Sequence, residues 1–196
     1  MNRAGIDKAR RRLDSAKASY EMVRHARNWS EFEPAWVSFL IQSNAIFEIL
    51  KAASHGSPKG GPWIGRKQNE RGDDELLCYM HHARNAEQHG IKPVAQDLPS
   101  IALPVAPERG KIVSLTVQNG MPVSARFIGD SGAELNMTFS PGKPRLVSVI
   151  DRGKKYDPPN LHLGKQIERG DPYAAGSAFL LYLEKLINCS ESFAQQ

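Results

Sequence analysis

Apolar residues recur at spacings of three and four through the first part of the chain, and this pattern predicts two long helices. From residue 4 to about residue 27 the basic side chains fall mostly off one apolar stripe, which consists of Ile6, Ala9, Leu13, Ala16, Tyr20 and Val23. A second helix is predicted over residues 35–53, after a capping box of Ser30 and Glu33, with Pro34 in the first turn. This helix is apolar on nearly every side. A small bundle covers such a helix poorly, which favours dimerisation through it.

A third and a fourth helix are predicted from their start and stop signals. The third runs from about Asp73 to His89, with Asp73 or Asp74 as its cap and Gly90 as its stop. The last begins at Asp171-Pro172, an N-cap followed by proline at the first helical position. Between the second and third helices, residues 55–67 contain four glycines and two prolines, so we expect no regular element there.

The pattern changes to period two after residue 110 and predicts an antiparallel meander of four strands. The strands are separated by turn signals at Asn119-Gly120, at residues 129–132 and at residues 140–143, and the fourth covers residues 146–150. The sequence thus predicts an α+β chain. Residues 1–92 and 171–196 form a four-helix bundle, and residues 93–170 form a connector and the inserted meander.

Composition narrows the class of protein. With 196 residues, 40% hydrophobic and 24% charged, the chain can bury a core and is not expected to be disordered. It has neither a membrane-spanning run of apolar residues nor the apolar segment of a signal peptide, so we expect a cytoplasmic protein without a membrane partner. In that compartment Cys78 and Cys189 are expected to be thiols. The net charge of +5 favours anionic partners, and basic residues concentrate in residues 1–28.

The end of the predicted third helix carries a group of residues suited to phosphodiester chemistry. Asn85 and His89 lie one turn apart, roughly 40° from each other around the helix, and the long side chain of Arg84 can bend into the same groove. Histidine can take the proton of an RNA 2′-hydroxyl or protonate the leaving oxygen. Arginine can neutralise the phosphate, and asparagine can orient it.

Arg84-Asn85-x-x-x-His89, at the end of the third helix of a predicted four-helix bundle, resembles the signature of the HEPN superfamily. The resemblance covers about residues 4–90 and 171–190. It implies a metal-independent endoribonuclease, without cofactor, in toxin–antitoxin or phage-defence systems. It also implies a homodimer with a composite active site, RNA as substrate, an antitoxin as a further partner, and Arg84, Asn85 and His89 as catalytic residues.

Other interpretations of the motif remain open. Arg84 can pair with a carboxylate such as Glu48 or Glu87, and His89 can act as a cation at the helix C-terminus. The chain would then be a catalytically silent HEPN-like module that binds RNA or protein.

Further residues are candidates for contacts with RNA or with the motif. Glu48 is the lone acid in the apolar second helix and can orient Arg84, or it can be solvated. His82 shares a helix with the motif, but it lies two turns, ~10 Å, from His89, too far for a shared metal ion. It can contact RNA, or it can be a surface histidine. The segment before the third helix offers Lys59, Trp63, Arg66 and Lys67 for charge and stacking contacts with RNA, although Trp63 can instead anchor the segment to the core.

Overall fold

The structure, a computed structural model, describes residues 1–102, 109–118 and 121–194. They include five helices, α1 (Arg3–His25), α2 (Trp29–Ala53), α3 (Gly60–Asp73), α4 (Glu75–His89) and α5 (Pro172–Glu191). They also include eight strands, β1 (Ala95–Ala102), β2 (Gly110–Gln118), β3 (Met121–Gly129), β4 (Glu134–Leu146), β5 (Val149–Asp151), β6 (Lys154–Tyr156), β7 (Leu161–His162) and β8 (Lys165–Gln166). The α+β class is confirmed. Two compact units are present: a helical unit, Met1–Gln96 with Arg145–Gln196, and a sheet unit, Asp97–Pro144.

Helices α1 and α2 follow the apolar pattern, but α2 begins earlier than predicted. Its N-cap is Asn28, whose side chain accepts a hydrogen bond from the Glu31 N–H at 3.0 Å, while the Asn28 amide donates to Glu31 Oε1. The predicted box of Ser30 and Glu33 is therefore wrong. Asn28, followed three residues later by Glu31, satisfies the free N–H groups of the helix two residues before the predicted cap.

The prediction that residues 55–67 contain no regular element is wrong, because Gly60–Asp73 forms α3. Pro62 lies in the first turn, where a helix needs no donor from it. Trp63 and Ile64 are buried, and this burial outweighs the helix-weakening effect of the glycines. The Arg84-Asn85 motif consequently lies on the fourth helix of the chain, rather than on the third.

The remaining helices complete one apolar core in the helical unit. Helices α4 and α5 have the predicted caps, since Asp74 accepts from the Leu77 N–H and Asp171 from the Tyr173 N–H. The buried amide of Asn44 on α2 donates to the Met80 carbonyl of α4 at 3.1 Å. The apolar residues of α2 are mostly buried within this single chain, so their coverage does not require a dimer.

The sheet unit contains three of the four predicted strands. Strands β2 and β3 pair antiparallel, as do β3 and β4, and the pairing of Gln118 with Met121 fits the predicted hairpin, whose turn residues Asn119 and Gly120 lie outside the described residues. The fourth strand of the sheet is β1, from the proline-rich connector, and the strand order is β1-β4-β3-β2. The predicted turn at residues 140–143 is wrong, because β4 continues through it.

The sequence predicts that residues 145–170 belong to the insertion, but in the structure they lie in the helical unit. Leu146 and Val149 are buried in its core, and the Tyr79 hydroxyl donates to the Val147 carbonyl at 2.8 Å. Strands β5 and β6 form a hairpin, and so do β7 and β8. Each turn has positive φ at both central residues, Arg152-Gly153 and Leu163-Gly164, as the type I′ hairpin turn requires.

Candidate functional site

The predicted catalytic residues occupy the last two turns of α4. Arg84 donates through Nη1 to the Asn85 side-chain oxygen at 2.9 Å, so the cation and the amide are joined. His89 is exposed in the final turn, and the part of the chain that the structure describes gives it no ion pair. The geometry therefore unites Arg84 with Asn85 and leaves the His89 imidazole open to solvent.

A carboxylate that sequence analysis missed connects this pair to a second histidine. Asp151 Oδ2 lies 2.7 Å from His82 Nδ1 and accepts a hydrogen bond from Asn85 Nδ2 at 3.0 Å. Burial favours a higher pKa for Asp151, but the hydrogen bonds from Asn85 and His82 outweigh it and hold the pKa below its ordinary value. Asp151 is thus an anion at neutral pH and the centre of a network.

The β5–β6 hairpin brings Asp151 to α4. The ring of Tyr156, which ends the hairpin, stacks on His82 with centroids 3.6 Å apart and planes 12° apart. Asp151 pairs with Lys154 across the hairpin, and the Lys154 ammonium lies 5.2 Å from the centre of the Tyr156 ring. The only sequence signal for this arrangement was the Arg152-Gly153 turn, which indicates a hairpin but not the helix against which it packs.

Arg71 from α3 is a second cation close to Arg84 and His81. Arg71 on α3 forms an ion pair of 3.6 Å with Glu48 and lies over the Phe47 ring at 4.7 Å. Glu48 was expected to orient Arg84 or to be solvated, but its described ion pair is with Arg71, and the described residues show none between Glu48 and Arg84. The buried Nε of Arg84 has no hydrogen-bond partner. Burial, reinforced by Arg71, His82 and Arg84, lowers the pKa of His81 to about 4.

The four candidates on the segment before α4 have different surroundings. Trp63 is 7% exposed and packs on Phe193, so it is an anchor to the core and is not available for stacking on RNA in this conformation. Lys67 pairs with Glu70 at 2.7 Å. Lys59, the N-cap residue of α3, and Arg66, in the first half of this helix, are exposed cations.

The basic face of α1 is partly neutralised by acidic neighbours. Arg10 pairs with Glu191 at 2.5 Å and Lys17 with Glu184 at 2.7 Å, both on α5. Arg3 and Arg24 pair with acids on α1 itself. Among the described residues, four exposed cations of this region have no described ion pair: Lys8, Arg11, Arg12 and Arg27. The surface that can attract an anion is therefore smaller than the sequence suggests.

Cys78 lines a cavity of about 420 Å³ together with Tyr156, Lys155 and Arg169. Burial raises the pKa of the Cys78 thiol, which is therefore protonated at neutral pH and a poor nucleophile. Within the described ranges, both cysteines are free, no three His, Cys, Asp or Glu side chains are arranged to hold a metal ion, and no helix has the length and hydrophobicity needed to span a membrane.

Comparisons with known proteins assign the chain to no family. No protein-family model matches the chain, and neither the curated proteins nor the solved structures contain a match to it.

Proposed function

We propose that the protein is a metal-independent endoribonuclease of the HEPN type, in which Arg84, Asn85 and His89 act on the scissile phosphate. The observation that carries the proposal is the hydrogen bond between Arg84 and Asn85 one turn before the exposed His89. A fixed cation, an oriented amide and a free imidazole on adjoining helical turns can supply the charge stabilisation and proton transfer by which RNA is cleaved without a metal ion.

In the proposed reaction, His89 takes the proton of the 2′-hydroxyl as this oxygen attacks the adjacent phosphorus. Negative charge then grows on the non-bridging oxygens, and Arg84 stabilises it with its planar set of donors. Asn85 fixes the direction of the guanidinium.

The proposed active form is a homodimer in which the ends of two α4 helices meet. Ile91, two residues after His89, is fully exposed, and burial of this side chain in an interface would favour association. Lys59 at the N-cap of α3, Arg66 on α3, and Lys8 and Arg11 on α1 provide positive charge for the RNA backbone. By resemblance, the setting is a toxin–antitoxin or phage-defence system, with an antitoxin as protein partner.

The test is cleavage of a synthetic RNA in the presence of chelator by the wild-type chain and by variants Arg84→Ala and His89→Ala. We expect the wild type to leave 2′,3′-cyclic phosphate and 5′-hydroxyl ends, and each variant to lose about 100-fold or more in rate. Gln88→Ala, an exposed change in the same turn, is the matched control and should keep the wild-type rate. Equal cleavage by all four proteins, or none by a folded wild-type dimer, refutes the proposal.

A second candidate function is a catalytically silent module that binds a protein partner through the sheet unit. Strand β2 is an edge strand that is exposed along its whole length, and it presents Ile112, Val113, Leu115 and Val117 to solvent. Exposed apolar side chains on an edge strand are typical of a surface that pairs with another chain. This function predicts that Leu115→Lys abolishes partner binding, whereas His89→Ala leaves it unchanged.

A further inference from the structure

His82 and Asp151 form a shielded pair close to the motif residues. The two side chains are only 21% and 9% exposed, and Tyr156 covers one face of the imidazole. Solvent-exposed ion pairs are weak and loosely held, whereas this pair is fixed by a second hydrogen bond, from Asn85 to the same carboxylate oxygen. Hydrogen bonds therefore connect Arg84, through Asn85 and Asp151, to His82.

The hydrogen bond determines which nitrogen of His82 is free to react. Asp151 is an anion and can only accept, so Nδ1 of His82 must carry the proton in their contact. This leaves Nε2 as the atom that can exchange a proton with a ligand. A buried carboxylate that fixes the tautomer and balances the charge of an imidazolium is the arrangement by which catalytic histidines are held in many hydrolases.

We propose that His82 is a second catalytic residue, the general acid of the RNA cleavage reaction, and that Asp151 is the residue that positions it. This inference rests on the proposed ribonuclease function. His82 lies outside the Arg84-Asn85-x-x-x-His89 motif, and Asp151 comes from a different part of the chain.

The spacing of the two histidines suits an acid–base pair on opposite sides of one phosphate. Residues seven apart on a helix lie within about 20° of the same face and ~10 Å apart along the axis. In an in-line displacement, the base and the acid are separated by two hydrogen bonds, each about 2.6–3.2 Å long, and by the width of the phosphoryl group. The helical spacing of His82 and His89 therefore matches the separation that an acid and a base need on the two sides of one phosphate.

The roles follow from the surroundings of each imidazole. His82 has the Asp151 carboxylate to balance a positive charge, whereas exposed His89 has no acidic partner in the described chain, so His82 donates the proton and His89 accepts one. In the step, the 2′-oxygen forms a bond to phosphorus and its proton passes to His89. The bond between phosphorus and the 5′-oxygen breaks, and His82 Nε2 protonates this leaving oxygen. The products are a 2′,3′-cyclic phosphate and a 5′-hydroxyl, and the bulk solvent returns both histidines to their starting states.

The experiment compares ordinary RNA with RNA in which sulfur replaces the leaving 5′-oxygen, because a thiolate leaves without protonation. We expect His82→Ala to lose about 100-fold or more on ordinary RNA and less than about 10-fold on the sulfur substrate. His89→Ala should be slow on both substrates. Asp151→Asn should show the same selective loss as His82→Ala, because a neutral amide cannot balance the positive charge of the His82 imidazolium as the Asp151 carboxylate does. Asp151→Glu should recover part of the rate.

Controls separate a catalytic from a structural role. His25→Ala and Asp130→Asn change exposed residues far along the chain and should match the wild type on both substrates. His82→Gln can still donate a hydrogen bond to Asp151, so it replaces His82→Ala in the test if that variant misfolds. Thermal unfolding of each variant shows whether it is folded. If His82→Ala loses the same factor in rate on both substrates, or loses none, the role of His82 as general acid is overturned. The proposed ribonuclease function is unaffected by that result. A folded wild type that cleaves neither substrate overturns both proposals.

Discussion

At the scale of single residues, His81 illustrates how the bundle fixes a protonation state. The imidazole is half-buried between α3 and α4, and burial together with the nearby cation Arg71 lowers its pKa from 6.5 to about 4. His81 is therefore neutral at neutral pH. Because His81 is neutral, it adds no third positive charge beside Arg71 and Arg84, which already repel each other.

This shift predicts a pH dependence of stability. Between pH 6.5 and 4 the unfolded chain binds a proton at His81 and the folded chain does not, so acidification through this window lowers the free energy of unfolding. Replacing His81 with Gln should flatten that part of the profile. Urea unfolding at pH 7 and pH 5, for the wild type and the variant, measures the difference. A wild-type profile that stays as steep in His81→Gln would contradict the assignment.

Two aspartates titrate below this window, whereas burial raises the pKa of Glu87 above its ordinary value of 4.5 and gives it an opposite contribution within the window. The comparison of the wild type with His81→Gln isolates the contribution of the histidine. The pKa of Asp74 lies below its ordinary value of 3.8, because hydrogen bonds from His162, Leu163 and Leu77 outweigh the effect of burial. The pKa of Asp151 is lowered as well. A group with a lowered pKa contributes stability that is lost only as the pH falls through the folded value, here below about 3.8.

At the scale of elements, Asp74 shows how one helix cap can also fasten a distant hairpin. Its Oδ1 caps α4 through the Leu77 N–H, and the same carboxylate contacts His162 Nδ1 at 3.0 Å and the Leu163 N–H at 2.7 Å. The next residue, Glu75, accepts from two backbone N–H groups of the same segment. The first turn of α4 thereby holds the β7–β8 hairpin.

We expect Asp74→Ala to cost about 2 kcal/mol, since it removes the cap and leaves the His162 imidazole without its acceptor. Asp171→Ala is the matched control, because Asp171 caps α5 without holding another segment. Its cost should be about 1 kcal/mol. Chemical denaturation gives both values. Hydrogen exchange should accelerate at residues 161–166 in Asp74→Ala alone, and unchanged exchange there would show that the hairpin is held by other contacts.

The sequence predicted most of the elements but only part of the candidate site, for identifiable physical reasons. Helices α1, α4 and α5 combine a local apolar stripe with a local cap, and both signals are present in the sequence. Helix α3 was missed because its stability comes from the burial of Trp63 and Ile64, which local propensity does not include. Asp151 was missed because its contact with Asn85 spans 66 positions, and no local pattern encodes such a pairing.

At the scale of the whole molecule, the residues of the candidate site and the main core belong to the same unit. Arg84, Asn85 and Asp151 lie in the helical unit, together with the whole core cluster of the described residues. The sheet unit buries little by comparison, and its most enclosed apolar residues are Ala125 and Met137, which pair across β3 and β4. The helical unit should therefore fold without the sheet unit.

The test of independent folding is a variant in which a short Gly–Ser linker replaces residues 97–144. The ends to be joined are already close, since the Val147 N–H donates to the Val94 carbonyl at 3.3 Å and the Tyr79 hydroxyl donates to the carbonyls of both residues. The deleted chain should unfold cooperatively, with an unfolding free energy equal to that of the full chain or higher by on the order of 1 kcal/mol, because a shorter loop costs less entropy to close. Circular dichroism and urea denaturation measure this directly.

The same deletion separates the two functions proposed for the chain. If α4 and the β5–β6 hairpin are sufficient for cleavage, the deleted chain retains the chelator-resistant cutting of RNA, and the sheet unit serves in recognition or control. If the chain acts by binding a protein partner through β2, the deletion removes binding while the helical unit stays folded. A deleted chain that loses its helical signal would show instead that the helical unit needs the sheet unit to fold, contrary to the distribution of buried residues described here.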